Sequence, residues 1–215
     1  MKDVFSDRSM LVCNLPDCIS YSKMNMKTLY LSACIALTVL LTACPETHVA
    51  DDFGSAAVTL KTAEWEGLWH PAEHDDEVFI FRIRDAEKGL LELQEVSPKD
   101  KAKKPEFFTL ALRETGAKAE SKLLFAILKD SAKTENGTLH LLRRSDHNAF
   151  LLWAINQDAV TAALKSGELQ GTSKPDKDGP HHTLATDPAN YPKLLDPKFW
   201  KWTEPSVMVR SKRPR

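Results

Sequence analysis

The residues able to do chemistry are few, and most are scattered. Four cysteines, Cys13, Cys18, Cys34 and Cys44, all lie within the first 44 of 215 residues. Cys13 and Cys18 are five apart, a spacing that suits none of the common zinc motifs. His70 and His74 are four apart and are followed by Asp75 and Asp76. That spacing grips a metal when it lies on one helix face, but Pro71 directly after His70 makes the segment read as a loop between strands. His181 and His182 follow a polar stretch punctuated by Pro175, Gly179 and Pro180. The sequence contains no G-x-S-x-G, no phosphate-binding G-x-x-x-x-G-K-[ST] and no H-E-x-x-H. Carboxylates are plentiful, 30 Asp and Glu in all, so a two-carboxylate hydrolase remains an alternative that spacing does not locate. No catalytic residue, metal or cofactor is assigned on these grounds.

Cys44 alone has a specific context. Lys23 and Lys27 precede residues 29–41 (LYLSACIALTVLL), a run without a charge. As a helix this run spans about 20 Å, short of a bilayer core of about 30 Å and suited to the apolar region of a signal peptide. Leu41-Thr42-Ala43-Cys44 resembles the lipobox of bacterial lipoproteins: an aliphatic residue, two small residues, then cysteine. The resemblance implies cleavage before Cys44 and lipid on its thiol, with the new amine often acylated as well. Leu31-Ser32-Ala33-Cys34 fits the same pattern, but cleavage there would leave too few apolar residues ahead of the site. Each buried methylene contributes about 0.8 kcal/mol, and two chains give stable attachment. The implied partner is therefore a membrane, reached through acyl chains on Cys44. Pro45 follows the cysteine where inner-membrane retention typically uses aspartate, so the family's sorting rule implies the outer membrane, facing the periplasm. Residues 1–25 carry Asp3, Asp7 and Asp17, which do not suit a signal peptide. Met24 or Met26 offers a better start, and 1–25 is read as an extension before a signal peptide at 26–43.

The remainder carries a net charge of −2, against a general nucleic-acid binder, which needs a basic face to release counterions. Residues 44–57 are small and acidic, with Glu46, Asp51 and Asp52, and read as the lipidated cysteine and a flexible tether. From 58 to 210 the pattern is one mainly β domain. Strands are expected at 58–69, 78–84, 90–96, 107–113, 123–128, 139–143 and 150–155, each alternating or continuously apolar. Asn136-Gly137 suits a tight hairpin turn, because both residues tolerate positive φ. Residues 157–166 change to a helical period, with Asn156 as N-cap and Gly167 as the residue that ends the helix. A strand at 182–185, a second short helix at 187–195 and a last strand at 207–210 complete an antiparallel barrel or curved sheet of about seven to nine strands.

Trp65, Gly67 and Trp69 would share one face of a strand. Gly67-Leu68-Trp69 resembles the G-x-W of the first strand of lipocalin-like barrels, although that family's T-D-Y motif has no counterpart. The resemblance implies that an arginine of the last strand packs over Trp69, and Arg210 is its counterpart here. It also implies a carrier of a small apolar ligand or lipid. Trp200 and Trp202 are expected on one face, as core. Residues 97–106 (SPKDKAKKPE) read as a solvated loop. In the tail at 211–215, Lys212, Arg213 and Arg215 could join Arg210 on anionic headgroups. The leading expectation is a non-enzymatic, lipid-anchored structural or interaction protein of the cell envelope, with an envelope protein as a candidate partner; carrier and hydrolase are the alternatives.

Overall fold

The computed structural model describes residues 46–73, 77–97, 104–117, 123–131, 136–145, 148–176 and 179–211. Cys44 and the segment before it, His74-Asp75-Asp76, the lysine-rich centre of the 97–106 loop and the tail from 212 lie outside these residues. The chain divides into two compact units, Met1–Ala43 and Cys44–Arg215. Every described residue belongs to the second.

The alternating runs form strands. β1 (Thr47–Ala50) is followed by β2 (Gly67–Pro71), β3 (Val78–Asp85), β4 (Leu90–Val96), β5 (Glu106–Glu114) and β6 (Leu123–Asp130). Then come β7 (Asn136–Arg144), β8 (Ala149–Ala154), β9 (Gly171–Lys174), β10 (His181–Leu184) and β11 (Ser206–Arg210). From β2 to β8 each strand pairs antiparallel with the next, and β11 joins β8 back to β2. The result is a closed antiparallel barrel of eight strands with no free edge, as the sequence patterning predicts. Between the seventh and eighth barrel strands the chain inserts α2 (Gln157–Ser166), β9, β10, α3 (Asn190–Lys193) and a 3-10 turn (Pro197–Phe199).

That insertion covers one side of the barrel, because β6 and β7 are apolar on both faces. Their outward residues Phe125, Ile127, Leu139 and Leu141 are buried against Val160 and Ala163 of α2 and against Leu169, Leu184, Leu194 and Phe199. The helix follows its sequence signals. The Asn156 side chain accepts from the Ala159 N–H, and Gly167 closes the C-terminus at φ 74°. β1 pairs with the start of β7, β10 runs parallel to β1, and β9 pairs with β10, extending the sheet beyond the barrel.

Four expectations are corrected. The supposed tether is, from residue 46 onward, part of the domain: Val49 and Phe53 are fully buried, and Phe53 packs edge-on against Tyr191 at 5.0 Å. Its acidic composition conceals those two apolar anchors, each able to contribute about 1.5–3 kcal/mol on burial. Trp65 is not in a strand but ends the single-turn helix α1 (Thr62–Trp65). Asn136-Gly137 is not a turn; it pairs with Ala50 and Val49 of β1. Gly137 is needed for closeness, since a Cβ there would sit 2.8 Å from the Leu128 carbonyl oxygen. Finally, His70 lies within β2 rather than in a loop, with Nδ1 3.0 Å from the Pro71 carbonyl oxygen; the strand expected at 182–185 is β10, which begins one residue earlier at His181.

Candidate functional site

Cross-strand partners share a face, so register identifies the lumen. Starting at Trp69, the inward set runs through Phe79 and Phe81, Leu91 and Leu93, Phe108, Leu110 and Leu112. It continues through Ala126 and Leu128, Thr138, His140 and Leu142, and Phe150, Leu152 and Ala154. Met208 and Arg210 return it to Trp69.

One end of this lumen is closed by aromatic packing. Trp69 lies 5.6 Å from Phe81 and 5.1 Å from Phe150, and Trp65 lies 6.1 Å from Phe150. The Trp69 indole N–H donates to the Trp65 carbonyl at 2.9 Å. Arg210 binds α1 to the barrel: its Nη1 donates to the Ala63 carbonyl at 2.8 Å and its Nη2 to the Glu66 carbonyl at 2.9 Å. These are carbonyls at a helix C-terminus, which lack intrahelical donors and favour a cation. The same guanidinium stands 5.0 Å above the Trp69 ring, within cation–π range. Arg144 repeats the arrangement over Trp65 at 5.2 Å, paired with Glu64. Gly67 sits at φ 143°, a backbone conformation that favours glycine, and a Cβ there would make an ordinary contact with Arg210 Nε at 3.5 Å. The expected contact of Arg210 with Trp69 is present; Trp65 takes part from a helix.

Burial varies along the lumen. Trp69, Phe81, Leu91, Leu112, Leu142 and Phe150 are 2% exposed or less, whereas Phe79, Leu93, Phe108, Leu110, His140 and Met208 range from 3% to 7%. Beyond them Leu128, Thr138, Leu152 and Ala154 face inward but are only half-buried, as are Pro71 and Ser206. Aromatic packing therefore fills the α1 end, where the inward Ile83 and Leu124 are half-buried as well, while at the other end Leu128 and Leu152 share the inward face with the polar Glu95, Thr138 and Ser206. Glu95 and Glu106 face one another across β4 and β5 at this rim. Each engages a further partner, and Glu106 is exposed.

His140 is a buried polar residue on the inward face away from α1, between Ala126 and Ala154. Burial lowers its pKa from 6.5 to about 4, partly offset by the Glu46 carboxylate, so its imidazole is neutral near pH 7. Sequence reasoning missed it. The available signal was a lone histidine in the apolar run Leu139-His140-Leu141-Leu142. Glu46 in turn pairs with His48 at 3.2 Å, and His48 stacks on His181 at 6.1 Å.

The remaining candidates are placed as structure. His182 is fully buried, with Nε2 2.9 Å from Thr161 Oγ1, whose hydroxyl donates to the Gln157 carbonyl at 2.8 Å. Its pKa is lowered by burial and then by His181. Trp200 is buried and donates to the Leu194 carbonyl, while Trp202 packs against Trp153 at 4.8 Å with the rings tilted by 55°. Among the described residues no group of three or more His, Cys, Asp or Glu could hold a metal. No described helix is long and apolar enough to cross a membrane.

No family model, curated protein or solved structure matches the chain.

Proposed function

We propose that this chain is the precursor of a lipid-anchored envelope protein whose barrel takes up a small apolar or amphipathic molecule. The observation that carries the binding half is the difference in packing between the two ends of the lumen. One end is filled with aromatic rings and clamped by Arg210, while inward apolar residues at the other are left half-buried. A concave apolar space with one or two placed polar groups is the usual form of a small-molecule site. His140 supplies such a group, and as a neutral imidazole it can both donate and accept. The Arg210–Trp69 contact supports the resemblance to lipocalin-like barrels, with the helical insertion before the eighth strand as this chain's own departure. Anchoring rests on Leu41-Thr42-Ala43-Cys44 and the charge-free run that precedes it. The proposed site of residence is the outer membrane, facing the periplasm.

The test is saturable uptake of a neutral apolar fluorophore, N-phenyl-1-naphthylamine, by the purified protein. Leu128→Trp places a large ring in the mouth and is expected to weaken uptake at least about tenfold, some 1.4 kcal/mol. Phe107→Trp, on the outer face of the same rim and 41% exposed, is expected to leave it unchanged. Equal uptake by both variants would reject a lumen site.

A further inference from the structure

An open groove of about 430 Å3 lies on the outer wall of the barrel, separate from the lumen. It runs across β3 to β6 beside the turn that follows β1. Its lining depends on a β-bulge. Ile83 opposes Leu91 and Asp85 opposes Leu90, so Arg84 is an extra residue without a partner on β4. A regular strand sends successive side chains to opposite faces. The bulge instead lets both Arg84 and Asp85 line the groove, a way of re-aiming side chains that recurs beside functional sites.

The charges in the groove do not cancel. Three cations, Arg84, Lys88 and Lys129, stand against two carboxylates, Asp51 and Asp85. Lys129 pairs with Asp51 at 3.0 Å and Lys88 with Asp85 at 3.3 Å. Arg84 makes no ion pair among the described residues and is the surplus charge. The hydroxyls of Thr109 and Ser131, 3.4 Å apart and bonded to one another, leave one proton free to donate on the same wall. A guanidinium with ammonium and hydroxyl neighbours matches the oxygens of a phosphate, which Arg can engage through two parallel N–H bonds. The groove is also large enough for the glycerol or sugar that such a phosphate carries.

We propose that this groove binds a phosphate-bearing anion, with Arg84 as its principal partner and Lys129, Thr109 and Ser131 completing the contact. Two sources share that chemistry: the headgroup of a phospholipid and a free phosphate monoester. Asp51 is seven residues beyond Cys44, at most about 25 Å of extended chain, so an acyl anchor there keeps headgroups within reach.

The experiment is calorimetry on the full chain in a neutral detergent, titrated with glycerol 3-phosphate and, separately, with short-chain phosphatidylglycerol. Saturable binding is expected in at least one arm, weakened about tenfold or more by Arg84→Ala, since a hydrogen bond to a charged group is worth that much. Arg82→Ala, an exposed arginine on the same strand facing Glu92, is the control and is expected to bind as the parent does. Response to glycerol 3-phosphate alone identifies the free anion as the source; lipid binding competed by glycerol 3-phosphate identifies the headgroup. No saturable binding in either arm, or equal weakening by Arg82→Ala and Arg84→Ala, overturns the proposal.

Discussion

Replacing Trp69 with alanine is expected to lower the unfolding free energy by about 3–5 kcal/mol, the usual cost of truncating a large buried aromatic. Three separate interactions converge on this ring. It packs on Phe81 and Phe150, donates its indole N–H to the Trp65 carbonyl and lies under the Arg210 guanidinium. Truncation opens a cavity at the closed end and leaves the Trp65 carbonyl without its donor. Trp69→Phe restores most of the apolar contact but neither the indole N–H nor the full ring, and is expected to fall between. Urea unfolding at neutral pH measures both. A loss below about 1 kcal/mol for Trp69→Ala, the size typical of an average substitution, would show that the α1 end does not hold the barrel closed.

Acid is expected to destabilise the domain well before the carboxylates are neutralised. His140 has a pKa of about 4 in the folded chain because burial disfavours its charged form, against 6.5 when exposed. Above pH 6.5 both states are neutral and the residue adds no pH dependence. As pH falls from 6.5 towards 4 the unfolded chain binds a proton that the folded chain does not, so stability is lost across that window. Below about 4 both states are protonated and the loss levels off. At 1.36 kcal/mol per pKa unit, the loss is about 3 kcal/mol by pH 4. His182, also lowered chiefly by burial, acts in the same direction. The measurement is urea unfolding at pH 7 and pH 4 for the parent and for His140→Met. The variant is expected to lose most of the histidine-linked difference, and identical pH dependence in the two would contradict a buried neutral His140.

Much of the barrel is legible in the sequence because its strands alternate cleanly. Residues 78–84 and 90–96 read as strands and become β3 and β4. Asn156 and Gly167 delimit α2 as their capping chemistry requires. The link from Gly67-Leu68-Trp69 to Arg210 is carried by side-chain types at two distant points, and the structure brings them together. What escaped detection depends on tertiary context. β1 and Phe53 are two apolar anchors in an acidic stretch, too sparse to establish a period. The outer layer was signalled only by β6 and β7 being apolar on both faces, which implies a cover without saying which segment supplies it. His140 is invisible to motif reasoning, since its interest lies in where the barrel places it. The Arg84 groove depends on a bulge, and no propensity marks that position.

The most direct measurement is native mass spectrometry of the protein extracted from its membrane. A mature chain beginning at Cys44, with the mass of two or three acyl chains and a labile apolar adduct released on gentle activation, is the result expected. An unprocessed N-terminus, or a chain that never carries an adduct under conditions that preserve noncovalent complexes, would contradict the reading of this protein as a lipid-anchored carrier.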